Sequence, residues 1–123
     1  MKTINKELIS DNILIAKFMN GTCINYANNT KGWIIPNLTN NGIDGDERNL
    51  KFNSDWNWLM MVIKKIEKTK GVNVQFAEVG CRILLFGKDI AMTHSDTKIE
   101  AVYGSVVKYI NYYNEINNKN IKV

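Results

Sequence analysis

Long apolar runs are missing from this 123-residue sequence. No stretch approaches the ~20 apolar residues that span a bilayer, and Ser10, Asp11, Asn12 and Lys17 interrupt the apolar residues near the start of the chain. The first residues carry charge but lead into no apolar segment, so we expect no signal peptide. These absences predict a cytoplasmic protein with no membrane partner.

Cysteine and histidine are scarce, with two cysteines and one histidine. Cys23 and Cys81 lie in apolar, strand-like surroundings, and we interpret them as buried side chains with free thiols rather than a disulfide or a reactive pair. Asp44, Asp46 and Glu47 resemble a cation-binding loop in composition, but their spacing is not that of an EF-hand. The sequence therefore predicts neither a metal nor a cofactor.

Arginine is almost absent, since Arg48 and Arg82 are the only two. The net charge of +4 therefore comes from lysine, and such a mildly basic balance is not by itself a nucleic-acid signature. Lys64, Lys65 and Lys68 form a basic patch that could contact phosphates, with a solvated helix face as the alternative. We expect nucleic acid not to be the main partner.

The spacing of apolar residues predicts an α+β fold in the order α-β(β)-α-β-β-β-α, with helices packed on an antiparallel sheet. Short Gly, Asn and Asp turns separate the elements, and no linker stands out, so we predict one domain over residues 1–123. The predicted helices cover residues 6–19, 54–70 and 97–117, and the predicted strands cover residues 22–26, 32–35, 72–76, 81–86 and 90–93.

The last two helices carry the clearest local signals. Ser54 is expected to cap the second helix, and Thr97 with Glu100 forms a capping box at the start of the third. Residues 37–49 are predicted to be a long polar loop, a feature that is often functional or mobile, and residues 118–123 a frayed tail. One apolar stripe along the second helix consists of Leu59, Val62, Ile63 and Ile66.

Tryptophan supplies the first candidate ligand site. Trp56 and Trp58 stand two positions apart at the start of the second helix, so their side chains cannot share a helix face. One of them can pack in the core while the other covers a neighbouring element or a ligand, and Trp33 is a third candidate. Tryptophan stacks well on nucleobases; structural packing of both helix residues is the alternative.

The turn before the last helix supplies the second candidate site. Thr93, His94, Ser95 and Thr97 lie at a helix N-terminus, where free backbone amides and the helix dipole can hold a phosphate. A solvated turn with capping residues is the alternative. The sequence contains no Ser–His–Asp arrangement in a recognisable context and no Gly-rich phosphate loop, so we expect a protein without catalytic activity.

Two segments resemble a known family. Residues 53–67, NSDWNWLMMVIKKIE, are similar to "SWDWLMPVVEKIE", and residues 97–115 are similar to "TKIEAVYKAVVEFIKWYNE". Both segments recur in small uncharacterised proteins of Bacteroidetes phages and prophages, preceded by a helix like residues 12–19. Met61 stands where that family has proline.

The resemblance implies a phage accessory protein that acts in the cytoplasm of its bacterial host. Its most specific form is an antidefence sponge, a homo-oligomer that sequesters a nucleotide immune signal of the host. An inhibitor that binds a host defence protein directly and a small nucleic-acid-binding protein are the alternatives.

Overall fold

The structure, a computed structural model, describes residues 6–121 and the side chains of residues 6–117. Within that range it confirms the α+β class and the predicted element order. The elements are α1 (Lys6–Phe18), β1 (Thr22–Tyr26), β2 (Thr30–Ile34), a short 3₁₀ helix η1 (Glu47–Asn49), α2 (Trp56–Glu67), β3 (Val72–Phe76), β4 (Gly80–Leu85), β5 (Lys88–His94) and α3 (Lys98–Ile121).

The chain divides into two compact units, Met1–Trp58 and Leu59–Val123. The first unit holds α1, the two-stranded sheet and η1, and the second holds the three-stranded sheet and α3. The boundary falls inside α2. A single domain over the whole chain stays a prediction.

The first sheet is a tight antiparallel hairpin. β1 and β2 pair in register from Thr22 opposite Ile34 to Tyr26 opposite Thr30. Asn28 and Asn29 form the turn with φ of 62° and 60°, the left-handed values that a type I′ turn requires and that Asn tolerates better than most residues. The two Asn residues lie in the three-residue connection between the paired residues Tyr26 and Thr30.

The polar segment predicted over residues 37–49 is held against β2. The Trp33 amide donates to the Gly45 carbonyl at 2.8 Å, and a Cβ on Gly45 would stand only 1.8 Å from the Trp33 carbonyl oxygen. Thr39 is buried; its hydroxyl accepts from the Ile35 amide at 2.8 Å and donates to the Trp33 carbonyl. The segment is thus an ordered part of the first unit, and it contains η1.

In the second unit, α3 covers one face of the antiparallel β3–β4–β5 sheet. Val74, Ile83 and Ala91 lie side by side across the three strands and are buried. A Cβ on Gly104 would lie 2.8 Å from Cγ2 of Thr93, so this glycine lets α3 approach β5 closely. The opposite face of the sheet carries exposed residues.

The predicted apolar stripe of α2 is confirmed, because Leu59, Val62, Ile63 and Ile66 are all fully buried. The helix begins later than predicted, at Trp56. Asp55 rather than Ser54 caps it, since the Asn57 amide donates to Oδ1 of Asp55 at 2.8 Å. A carboxylate at this position also interacts favourably with the positive end of the helix dipole.

The capping box of α3 is confirmed. Thr97 Oγ1 accepts from the Glu100 amide at 3.3 Å and donates to the Glu100 carboxylate at 2.9 Å. The helix continues to Ile121, past the predicted end near residue 117. Of the tail predicted over residues 118–123, the last two residues lie outside the described part of the chain.

Phe86, predicted to end β4, instead begins a two-residue turn. Phe86 and Gly87 have φ of 50° and 82°, and β4 and β5 pair up to Leu85 opposite Lys88. β5 is consequently longer than the predicted strand over residues 90–93. Phe is rarely found in this left-handed conformation. The apolar run of β4 therefore predicted that Phe86 would continue the strand.

Candidate functional site

A cleft of about 240 Å³ opens on the face of the β3–β4–β5 sheet that α3 does not cover. Antiparallel pairing places Gln75 opposite Arg82 and Arg82 opposite Met92, so these three side chains form a row across the strands. The lining includes Gln75, Phe76, Gly80, Arg82, Met92 and His94.

Arg82 is the cation of the cleft, and its neighbours fix its orientation. Nε of Arg82 donates to Oε1 of Gln75 at 3.1 Å and lies 3.7 Å from Oδ1 of Asp89. These contacts use Nε, whereas the two Nη groups carry the other four N–H donors of the guanidinium. The arrangement can therefore present a planar, charged fork to an anionic group.

Apolar and ring surfaces surround this cation. Met92 is 50% exposed. Phe76 is 42% exposed, but it is opposite Cys81 and two residues after Val74, so its ring lies on the α3 side of the sheet. A Cβ on Gly80 would lie 3.2 Å from Cδ2 of His94, so the glycine leaves room for the imidazole. A cleft with an imidazole, a thioether and a guanidinium can stack a planar group and bind a negative charge beside it.

The turn predicted to hold phosphate contributes one residue to the cleft, His94. The Thr93 hydroxyl is buried against α3, without a hydrogen-bond partner among the described residues. Thr97 uses its hydroxyl to cap α3, and the Ser95 amide donates to the carbonyl of Val79 at 3.0 Å. The structure thus does not bring the four turn residues together around one ligand position.

The three tryptophans belong to the unit Met1–Trp58 and have different environments. Trp33 is 6% exposed, and its Nε1 is buried without a partner within residues 6–121. Trp58 makes an edge-on contact with the buried ring of Phe52, with centroids 5.1 Å apart. Trp56 is 39% exposed. Trp58 is thus packed and Trp56 is exposed, a choice that the spacing of the two residues left open.

The three lysines of the predicted basic patch differ in exposure. Lys64 is exposed on α2, but Lys68 follows the helix end at Glu67. Lys65 is half-buried, and burial lowers the pKa of its ammonium. Lys64 and Lys68 are thus the exposed members of the patch, and the patch stays a prediction.

The two cysteines are both free, but only Cys81 is buried. Burial raises the pKa of the Cys81 thiol. Cys23, predicted to be buried, is exposed on β1, because the hairpin has a solvent-facing side that its weak alternation does not mark. The prediction of two buried thiols is corrected on this point.

The acidic residues of the polar segment serve the fold. Asp44 accepts from Asn41 at 3.2 Å, and the buried Asp46 accepts hydrogen bonds from Tyr26 and Arg48. Across the described residues, no group of three His, Cys, Asp or Glu side chains could hold a metal ion. Nor does any helix described here have both the length and the apolar character to cross a membrane.

No protein-family model, no curated protein and no solved structure matches this chain. The resemblance to phage proteins therefore stays a prediction.

The sequence reasoning missed most of the cleft residues. Gln75 and Arg82 carry a usable signal, since both occupy the polar positions of strands whose neighbours Val74 and Ile83 are apolar. Their adjacency depends on the strand register. Register is set by turn geometry as well as by the pattern of apolar residues, so the pattern alone does not place the two side chains together.

Proposed function

We propose that this chain is a non-enzymatic binding protein that holds a nucleotide-type ligand in the cleft on the uncovered face of the β3–β4–β5 sheet. The observation that carries the proposal is the oriented guanidinium of Arg82 in a cleft that the imidazole of His94 also lines. A guanidinium binds phosphate through paired N–H donors, and exposed rings stack on bases. The proposed biological form is a phage antidefence sponge that sequesters a host nucleotide signal.

The size of the cleft limits what one copy holds. Its volume of about 240 Å³ is below the ~300–1,000 Å³ usual for drug-sized ligands. One copy would therefore hold one base with its phosphate, and a cyclic dinucleotide or trinucleotide would engage a cleft from each of two or more copies. The proposal consequently includes a homo-oligomer in the bound state.

Calorimetry of the full chain tests the proposal, with a panel of mononucleotides, cyclic dinucleotides, cyclic trinucleotides and ADP-ribose derivatives. Arg82→Gln should weaken binding about tenfold or more, because a charge-assisted hydrogen bond contributes about 1.5–3 kcal/mol. The matched control is Lys88→Gln, which removes one positive charge from an exposed position on β5. Absence of binding tighter than the micromolar range, with folded protein, would rule out the sponge.

A second candidate is an inhibitor that binds a host defence protein through the same face. The observation that favours it is Met92, which is 50% exposed on this face, since exposed apolar side chains can mark interaction surfaces and Met adapts to varied partners. Native mass spectrometry after incubation with lysate of infected cells separates the two candidates. A retained small molecule supports the nucleotide site, and a bound protein supports the inhibitor.

A further inference from the structure

A second and larger cleft, of about 420 Å³, lies wholly within the unit Met1–Trp58. α1 forms one side of it, and the chain from Arg48 to Ser54 forms the other. Among the nine residues that the structure places around this cleft, none is acidic and none is aromatic. Its lining therefore differs in chemistry from that of the cleft on the β3–β4–β5 sheet, which includes a ring.

The cleft combines two cations with three carboxamides. Arg48 and Lys51 supply the positive charge, and Asn12, Asn49 and Asn53 supply amide groups. Carboxamides both donate and accept hydrogen bonds, as alcohol groups do. A binding surface of this composition suits a ligand with a negative charge and several hydroxyls.

Two of these side chains are held in place by buried contacts. Asn12 is 3% exposed and donates from Nδ2 to the Leu50 carbonyl and to Oδ1 of Asn53, each at 3.2 Å. Because Asn12 occupies the Asn53 oxygen, the Asn53 amino group is available to donate to a ligand. Arg48 is fixed from behind by Asp46, through Nε at 3.0 Å and Nη2 at 2.6 Å.

We propose that this second cleft binds a small phosphorylated polyol or sugar. Arg48 and Lys51 would bind the phosphate, because guanidinium and ammonium groups are the usual phosphate ligands in proteins. The carboxamides of Asn49 and Asn53 would bind the hydroxyls. The site is independent of the nucleotide cleft, since the two share no residue and belong to different units.

The test measures binding of glycerol 3-phosphate, inorganic phosphate and glycerol to the full chain by NMR titration. The proposal predicts that glycerol 3-phosphate binds more tightly than inorganic phosphate and that glycerol does not bind. Lys51→Gln should weaken glycerol 3-phosphate binding about tenfold through loss of one charged donor. Arg48 is not the residue to change, because its loss would leave the buried Asp46 carboxylate without its partner.

The matched control is Lys17→Gln, which removes the same charge from an exposed position of α1 outside the cleft. Its affinity for glycerol 3-phosphate should equal that of the unchanged chain. Equal weakening by Lys51→Gln and Lys17→Gln would mean a general charge effect and would overturn the proposal. Equal affinity for inorganic phosphate and glycerol 3-phosphate would also overturn it, since the carboxamides would then contribute nothing.

Discussion

The guanidinium of Arg48 forms two hydrogen bonds with the carboxylate of Asp46, from Nη2 at 2.6 Å and from Nε at 3.0 Å. The Arg48 amide adds a third at 2.9 Å, and the Tyr26 hydroxyl donates to the same carboxylate from β1. Asp46 is buried, and the hydrogen bonds from Arg48 lower its pKa. One carboxylate thus links the hairpin, the polar segment and η1.

Asp46→Asn should destabilise the protein by about 1–3 kcal/mol at neutral pH, because buried hydrogen-bonding groups lose their partners. The folded pKa of Asp46 lies below its unfolded value of about 3.9. Its contribution is therefore present above about pH 4 and is lost as the pH falls through the folded pKa.

Urea unfolding measures the free energy of unfolding of the unchanged chain and of Asp46→Asn. The difference between the two values should narrow as the pH falls below about 4. Asp44→Asn is the control, since Asp44 is exposed. A difference in unfolding free energy that stays constant with pH would show that the carboxylate charge does not contribute to stability.

Gly45→Ala should cost about 2 kcal/mol or more, because its Cβ would stand 1.8 Å from the Trp33 carbonyl oxygen and backbone must move. Gly87→Ala is the comparison: its Cβ meets nothing within 4 Å, but φ is +82°. That substitution should cost only about 1 kcal/mol from the backbone conformation. Equal losses in thermal unfolding would mean that the polar segment moves away from β2 at little cost.

The helices and most strands could be predicted because their signals are local. The burial of Leu59 and Ile66 follows from helical spacing, and the Thr97 cap follows from a four-residue pattern. The polar segment could not be predicted in detail. Its packing depends on the Thr39 hydroxyl bonding to the Trp33 carbonyl and on the close approach of Gly45 to β2, and the pattern of apolar residues encodes neither contact.

The candidate sites were less predictable than the fold. Single residues such as His94 and Trp56 were picked out for their chemistry, and the structure places them in different units. Arg82 and Gln75 meet only because β3 pairs with β4 in one register. A site assembled across strands depends on register, and a shift of one residue would turn Arg82 to the α3 face.

Trp58→Ala and Trp56→Ala should differ in their effect on stability. Trp58 contacts Phe52, which is fully buried, so its loss removes core packing and should cost about 3 kcal/mol. Trp56 is 39% exposed, so Trp56→Ala should lower the free energy of unfolding by less than about 1 kcal/mol. Chemical unfolding of the two variants measures the difference. The reverse ranking would mean that the two rings have been assigned to the wrong sides of α2.

Leu59→Ala and Val106→Ala should each cost about 2–4 kcal/mol, because both side chains are fully buried and truncation leaves a cavity. Asn111→Ala, at an exposed position of α3, serves as the control and should stay within about 0.5 kcal/mol of the unchanged chain. Thermal and urea unfolding give the values. A loss near zero for Leu59 and Val106 would contradict the helix faces described above.

Nucleic-acid binding at physiological salt should be weak. Phosphate contacts dominate such affinity, and the chain has a net charge of only +4. In the predicted basic patch, Lys65 is half-buried with a lowered pKa. A gel shift with mixed DNA and RNA should therefore show no submicromolar complex.

The double substitution Lys64→Gln and Lys68→Gln should leave that weak binding nearly unchanged, with Lys17→Gln and Lys31→Gln as the matched pair from the other unit. Submicromolar binding that falls steeply with salt and is lost only in the Lys64 and Lys68 variant would contradict this expectation. The number of phosphates contacted would then follow from the slope of log affinity against log salt, at about 0.9 per phosphate on duplex DNA. A slope near zero, with weak binding, agrees with a partner other than nucleic acid.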